Sequence, residues 1–203
     1  MFGAVVAFLA ALTAGLALTP VARWYALRTG MVANPVADRW HKEPTALLGG
    51  FAVALASIAG FLVAVVVLSR TEAPAAIESL STPRGLGVAA AGALMFVIGH
   101  TDDRKWTFFG TKLTMQLVAG ACLVVAGAVF AVTPWPTANA LITVFWFVGI
   151  TNAFNLIDNM DGVAAGVGAI AAITLGIIAA RSGAWLHPAA AWALAGAALG
   201  FLR

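Results

Sequence analysis

Asn152-Ala153-Phe154-Asn155-Leu156-Ile157-Asp158-Asn159-Met160-Asp161-Gly162 is the stretch on which the reading of this chain turns, because two amides and two carboxylates close an apolar run. At membrane depth each unpaired amide or charge costs several kcal/mol, so a cluster of them faces a cavity and serves a function. On an unbroken helix Asn152 neighbours Asn155 and Asp158 neighbours Asp161, but a series spaced by three drifts round the axis by roughly 60° per step. The four side chains therefore cannot share one face. The spacing predicts that the helix loosens near Asn159 and Gly162, turning both Asp side chains and freed backbone groups toward a polar ligand. An interfacial helix cap is the plainer alternative, but a cap needs one such residue and not four.

Working outward, the composition fixes the class. Hydrophobic residues make up 62% of the 203 positions and charged residues 9%, which excludes a soluble fold and describes an all-α, polytopic membrane bundle read as a single domain over residues 1–203. Apolar runs able to cross about 30 Å of hydrocarbon lie near 2–20, 47–68, 86–99, 113–132, 138–155, 163–180 and 189–202, giving about seven spans. The third and last are short for a full crossing, so either they extend into their polar flanks or the bilayer thins around them. The first lacks a basic start and a small-residue cleavage site, so it reads as a retained span. The single Cys122 lies in mid-span and rules out an internal disulfide.

Lys and Arg set the orientation. Arg23, Arg28, Arg39, Lys42, Arg104, Lys105, Lys112 and Arg203 fall on one side, and Arg70, Arg84 and Arg181 on the other; the more basic side is expected to be cytoplasmic. The 152–162 stretch then lies at the cytoplasmic face of a cell membrane.

Two other segments are expected on that face. The loop from Arg23 to Gly50 holds Asp38-Arg39-Trp40-His41-Lys42-Glu43-Pro44-Thr45 and Gly49-Gly50. Its two prolines stiffen it, and Arg39, His41 and Lys42 are donors suited to phosphate oxygens. A lipid-headgroup anchor would need the charges but not the paired glycines, which admit close approach of backbone or ligand. The third span ends in Gly99-His100-Thr101-Asp102-Asp103, where adjacent carboxylates call for a divalent metal, the following basic pair or a shared proton. Six of the eight acidic residues thus fall on one side, interleaved with Lys, Arg and His and without a Cys or paired-His cluster. That donor set suits a hard cation such as Mg²⁺ with a polyphosphate, not zinc or iron.

Taken together, the Asp38 to Gly50 string, Gly99-His100-Thr101-Asp102-Asp103 and Asn152-x-x-Asn155-x-x-Asp158-x-x-Asp161-Gly162 resemble the polyprenyl-phosphate N-acetylhexosamine-1-phosphate transferases in order, spacing and membrane side. The Asp-Arg-Trp-His loop looks closest to the bacterial branch that primes cell-wall or surface polysaccharide with N-acetylglucosamine phosphate from undecaprenyl or decaprenyl phosphate. The branch that transfers phospho-N-acetylmuramoyl-pentapeptide is the alternative. From another class, so is a transporter for a phosphorylated lipid or nucleotide sugar.

The resemblance implies Mg²⁺-dependent attack of a polyprenyl phosphate on the β-phosphorus of a UDP-sugar, with UMP leaving; Mn²⁺ is a further option for the metal. It implies Asp102, Asp103, Asp158 and Asp161 as catalytic residues. Asp102 would orient or deprotonate the lipid phosphate and Asp103 would support it. It also implies Arg39, His41, Lys42, Thr45, Asn152 and Asn155 as substrate-binding residues, and Asp102, Asp103 and Asp158 as metal ligands. The expected partners are the UDP-sugar, the prenyl lipid and the membrane, with a homodimer as an option and nucleic acid excluded. One departure bears on the metal. In the family a span like that ending Gly196-Ala197-Ala198-Leu199-Gly200-Phe201-Leu202-Arg203 leads into a Phe-x-Gly-Asp-x-Gly-Ser segment with the main metal-binding aspartate. That segment is not among these residues, so the chain is expected to be the N-terminal part of a longer enzyme, inactive by itself.

Overall fold

The computed structural model describes residues 1–33, 45–68, 78, 80–104, 108–158, 160–181 and 185–203, with the side chains of Asp103 and Arg104 outside that set. Among the described residues the chain forms α1 (Phe2–Thr29), β1 (Val32–Ala33), β2 (Thr45–Ala46), α2 (Gly49–Leu68), α3 (Pro83–Arg104), α4 (Phe109–Val125), α5 (Pro136–Ile157), α6 (Val163–Ala180) and α7 (Leu186–Phe201). Each of the seven apolar runs overlaps one helix, the fourth only in part. Five of the helices are long and apolar enough to cross a membrane, while α4 and α7, with 17 and 16 residues, are shorter. The protein is a multi-pass helical membrane protein. Its helices group into two compact units, Met1–Ala76 with Ile157–Arg203, and Ile77–Leu156.

In the first unit α1, α2, α6 and α7 pack through small residues. Ala7, Ala11, Ala56, Ala64, Ala189, Ala193 and Ala197 form its core. Lipid tails are as apolar as leucine, so membrane helices associate by close van der Waals contact, which small side chains permit. A Cβ added at Gly60 would lie 2.6 Å from the Ala7 carbonyl oxygen, and one at Gly200 would lie 2.7 Å from that of Leu12; here backbone meets backbone. Phe8 and Trp192 add an edge-to-face contact, 6.5 Å between centroids. Helix α1 stops at Gly30, whose φ of 72° is left-handed, and Met31 N–H closes on the Ala26 carbonyl at 2.9 Å. Val32 then pairs with Ala46 and Ala33 with Thr45 in an antiparallel ladder.

In the second unit α3, α4 and α5 run alternately up and down. Contacts at both ends fix the antiparallel pairing of α3 with α4: Asp102 meets Lys112, and Arg84 Nε donates to the Gly127 carbonyl at 2.9 Å. The third run, short for a full crossing by itself, extends into its polar flanks as the 22-residue α3, one of the two outcomes expected for it. One expected span needs correction: the fourth, expected to reach residue 132, stops as a helix at Val125. Gly127 adopts φ 79°, Gly127 N–H bonds to Val124 O and Ala128 N–H to Leu123 O, a glycine-centred helix stop. The apolar residues beyond it are not helical, yet several of their N–H groups find side-chain partners on α5. Thr143 Oγ1 accepts from Phe130 N–H at 3.0 Å, and Asn139 Oδ1 accepts from the N–H groups of Val132 and Thr133 at 3.3 and 2.9 Å.

Candidate active site

The polar end of the second unit is assembled from three helix termini. Asp102 closes α3, Lys112 lies in the first turn of α4, and Asn155 lies in the last turn of α5. Lys112 Nζ donates to Asp102 Oδ2 at 2.6 Å and to Asn155 Oδ1 at 3.0 Å. The charged pair is partly shielded, with the Lys112 and Asp102 side chains 16% and 22% exposed. A charge-assisted hydrogen bond in that setting is stronger than one in water. One turn deeper, Asn152 Nδ2 donates to Gln116 Oε1 at 2.7 Å, joining α5 to α4 a second time. Asn152 and Asn155 thus both face α4, as neighbours three residues apart on a helix do.

The two aspartates of the opening stretch belong to the first unit. Helix α5 ends at Ile157, and α6 begins at Val163 after Gly162, whose φ of 72° is left-handed. The expected loosening of the helix is therefore present, and Asp158 and Asp161 lie in the break; Asn159 is outside the described residues. Asp158 is exposed at the surface, yet the protein around it desolvates its carboxyl and raises its pKa above the ordinary 3.8.

Of the other expected residues, Thr45 lies in β2, exposed and opposite Ala33. Arg39, His41 and Lys42 lie outside the described residues, as does the side chain of Asp103. Lys112 and Gln116 were not singled out from the sequence as site residues. Lys112 was read as one of the orienting charges. Gln116 carries a signal of its own, an amide inside an apolar run, where an unpaired polar group is costly.

Among the described residues no three His, Cys, Asp or Glu side chains group as a metal site, so these residues alone form no all-protein cage. Mg²⁺ arriving with a diphosphate takes only one or two carboxylates, with phosphate and water filling its octahedron. Each of Asp102, Asp158 and Asp161 has the donor chemistry to supply one such carboxylate.

The glycosyl transferase family 4 profile matches residues 85–203. A probable undecaprenyl-phosphate N-acetylglucosaminyl 1-phosphate transferase of Bacillus subtilis is 29% identical over 212 residues, covering 100% of this chain and 55% of that protein. A decaprenyl-phosphate N-acetylglucosaminephosphotransferase of Mycolicibacterium smegmatis is 34% identical over 200 residues, covering 89% and 48%. A phospho-N-acetylmuramoyl-pentapeptide-transferase of Enterococcus hirae is 30% identical over 144 residues, covering 69% and 38%. The chain thus spans about half the length of the first two of these relatives. No solved structure gives a significant match. The family profile takes in α4 with Lys112 and Gln116 and the whole 152–162 stretch, as well as Asp102 and Asp103, and the chain belongs to glycosyl transferase family 4.

Proposed function

We propose that the protein transfers N-acetylglucosamine-1-phosphate from UDP-N-acetylglucosamine to a polyprenyl phosphate at the cytoplasmic face of the plasma membrane, releasing UMP. An oxygen of the lipid phosphate forms a new bond to the β-phosphorus, and the bond from that phosphorus to the bridging oxygen breaks, its electron pair leaving with UMP. The observation that carries this reading is the Asp102–Lys112–Asn155 cluster, in which a carboxylate and a cation suited to phosphate stand together where membrane helices end. Phosphoryl transfer asks a protein mainly for positioning and for stabilisation of charge.

In this reading Asp102, supported by Asp103, orients the acceptor phosphate or takes its proton. Lys112 offers positive charge to the migrating phosphoryl group. Asp158, Asp161 and Asn155 serve the nucleotide, and Arg39, His41, Lys42 and Thr45 serve the diphosphate. Mg²⁺, or Mn²⁺ in its place, would be held by Asp102, Asp103 and Asp158 and would offset the charge of the diphosphate and of the leaving UMP. The branch that primes surface polysaccharide is favoured over the pentapeptide-transferring branch by the Asp38-Arg39-Trp40-His41 string and by the stronger matches to N-acetylglucosamine-phosphate transferases.

The test supplies the complete gene product in membrane vesicles with decaprenyl or undecaprenyl phosphate and either UDP-N-acetylglucosamine or UDP-N-acetylmuramoyl-pentapeptide, and follows UMP. Release with the first donor and not the second is expected. Release only with the second would move the protein to the other branch, and release with neither would remove the transferase reading.

A further inference from the structure

Gln116 is the largest fully buried side chain among the described residues, 0% exposed. Its amide is paired reciprocally with that of Asn152: Asn152 Nδ2 donates to Gln116 Oε1 at 2.7 Å, and Gln116 Nε2 donates to Asn152 Oδ1 at 3.4 Å. The second N–H of Asn152 goes to the Val148 carbonyl at 2.8 Å. A carboxamide has two N–H donors and one carbonyl. Both donors of Asn152 are thus engaged within the bundle, and its oxygen accepts from Gln116.

Helical spacing sets this pair directly behind the charged cluster. Lys112 precedes Gln116 by four residues on α4, and Asn155 follows Asn152 by three on α5, so the 112–155 and 116–152 contacts are successive rungs between the same two antiparallel helices. Register matters here because lipid gives little preference between one apolar contact and another. Leu, Val and Ala side chains would let α4 slip along α5 at small cost. Two carboxamides that slip out of register are left unpaired in an apolar medium, which is costly.

We infer that Gln116 and Asn152 are positioning residues: their reciprocal amide pair fixes the register of α4 against α5 and thereby holds the Lys112 ammonium on Asp102 and Asn155. The inference rests on the proposed transfer reaction for its consequence in catalysis, and it moves Asn152 from substrate binding to support of the residues that bind.

Exchanging the two side chains keeps the total number of methylenes and both amides, so the test compares Gln116→Asn, Asn152→Gln and the double exchange in the complete gene product. Three quantities are read: kcat and KM for UMP release, the melting temperature, and acylation of Lys112 by an amine-reactive ester, located by mass spectrometry. Each single variant is expected to lower kcat about tenfold, with KM and melting temperature near wild type. Each should also expose Lys112 to acylation, and the double exchange should reverse both effects. Wild-type kcat and unchanged Lys112 acylation in the single variants would overturn the inference. So would a kcat loss that merely tracks a fall in melting temperature, or a double exchange as impaired as the two singles combined. If the wild-type protein releases no UMP, the acylation pattern still decides. Exposure of Lys112 by the single variants and its reversal by the exchange would uphold the register role while the transferase reading fell, and unchanged acylation would remove both.

Discussion

Lys112 serves two partners with one ammonium, a carboxylate brought by α3 and an amide oxygen brought by α5. Only a point charge on a long flexible stem meets both without moving either helix, whereas a guanidinium would present a planar fork. Lys112→Met should therefore lower UMP release by about a hundredfold or more, and Lys112→Arg should fall between that variant and wild type. The check is UMP release per folded molecule; equal activity in all three proteins would take Lys112 out of the site. Asp102→Asn and Asp158→Asn are expected to lose at least about a hundredfold while yielding wild-type amounts of folded protein, because removing one interfacial charge leaves helix packing intact. Of the cluster around Lys112, Asp102 and Asn155 were legible in the sequence because a polar residue ending an apolar run has few structural excuses. Lys112 was less so, since a lysine at the cytoplasmic edge of a span also satisfies the rule that orients membrane proteins. Whether it neutralises a lipid headgroup or a carboxylate depends on α3, which the sequence around Lys112 does not mention.

Among the elements, hydropathy located the seven helices of the described residues but missed the end of α4, because residues beyond Gly127 are as apolar as those before it. Turn chemistry overrode hydropathy there: a left-handed glycine closed the helix, and Asn139 and Thr143, one turn apart on α5, took up the freed N–H groups. Asn139 also donates to the Thr133 carbonyl at 2.9 Å. Asn139→Ala removes these partners at once and should destabilise the protein by about 2–4 kcal/mol, and Asn139→Asp, which keeps the acceptor, by less. Thermal unfolding in detergent measures this; an Ala variant as stable as wild type would mean that water or lipid headgroups satisfy the segment instead. The packing of α1 makes a similar demand. A side chain at Gly60 would have to displace the α1 backbone at Ala7, so Gly60→Val should lower the melting temperature, whereas Gly50→Val, where nothing lies within 4 Å of the added Cβ, should not.

For the molecule as a whole, membrane sidedness joins the fold to the chemistry, because nucleotide sugars are cytoplasmic and a site on the other face would have no donor. In the proposed reading the bias of basic residues puts the Asp102 and Asp158 ends on the cytoplasmic side. With Cys122 replaced by Ala, a cysteine at position 78 should react with an impermeant thiol reagent on intact cells and one at position 106 should not; the reverse labelling would invert the topology and remove the proposed reaction. The overall class was legible from composition, since 62% hydrophobic residues leave no soluble alternative. The grouping into two compact units was not, because it depends on which helices carry matching small residues and not on how apolar each one is. The central claim is that these carboxylates and their lysine move a sugar phosphate onto a lipid phosphate. It is tested most directly by UMP release from the complete gene product supplied with UDP-N-acetylglucosamine, a polyprenyl phosphate and Mg²⁺, beside its Asp102→Asn variant. Release that needs both substrates and the metal, and that the variant lacks, is the predicted result; a variant that releases UMP at the wild-type rate would contradict the account.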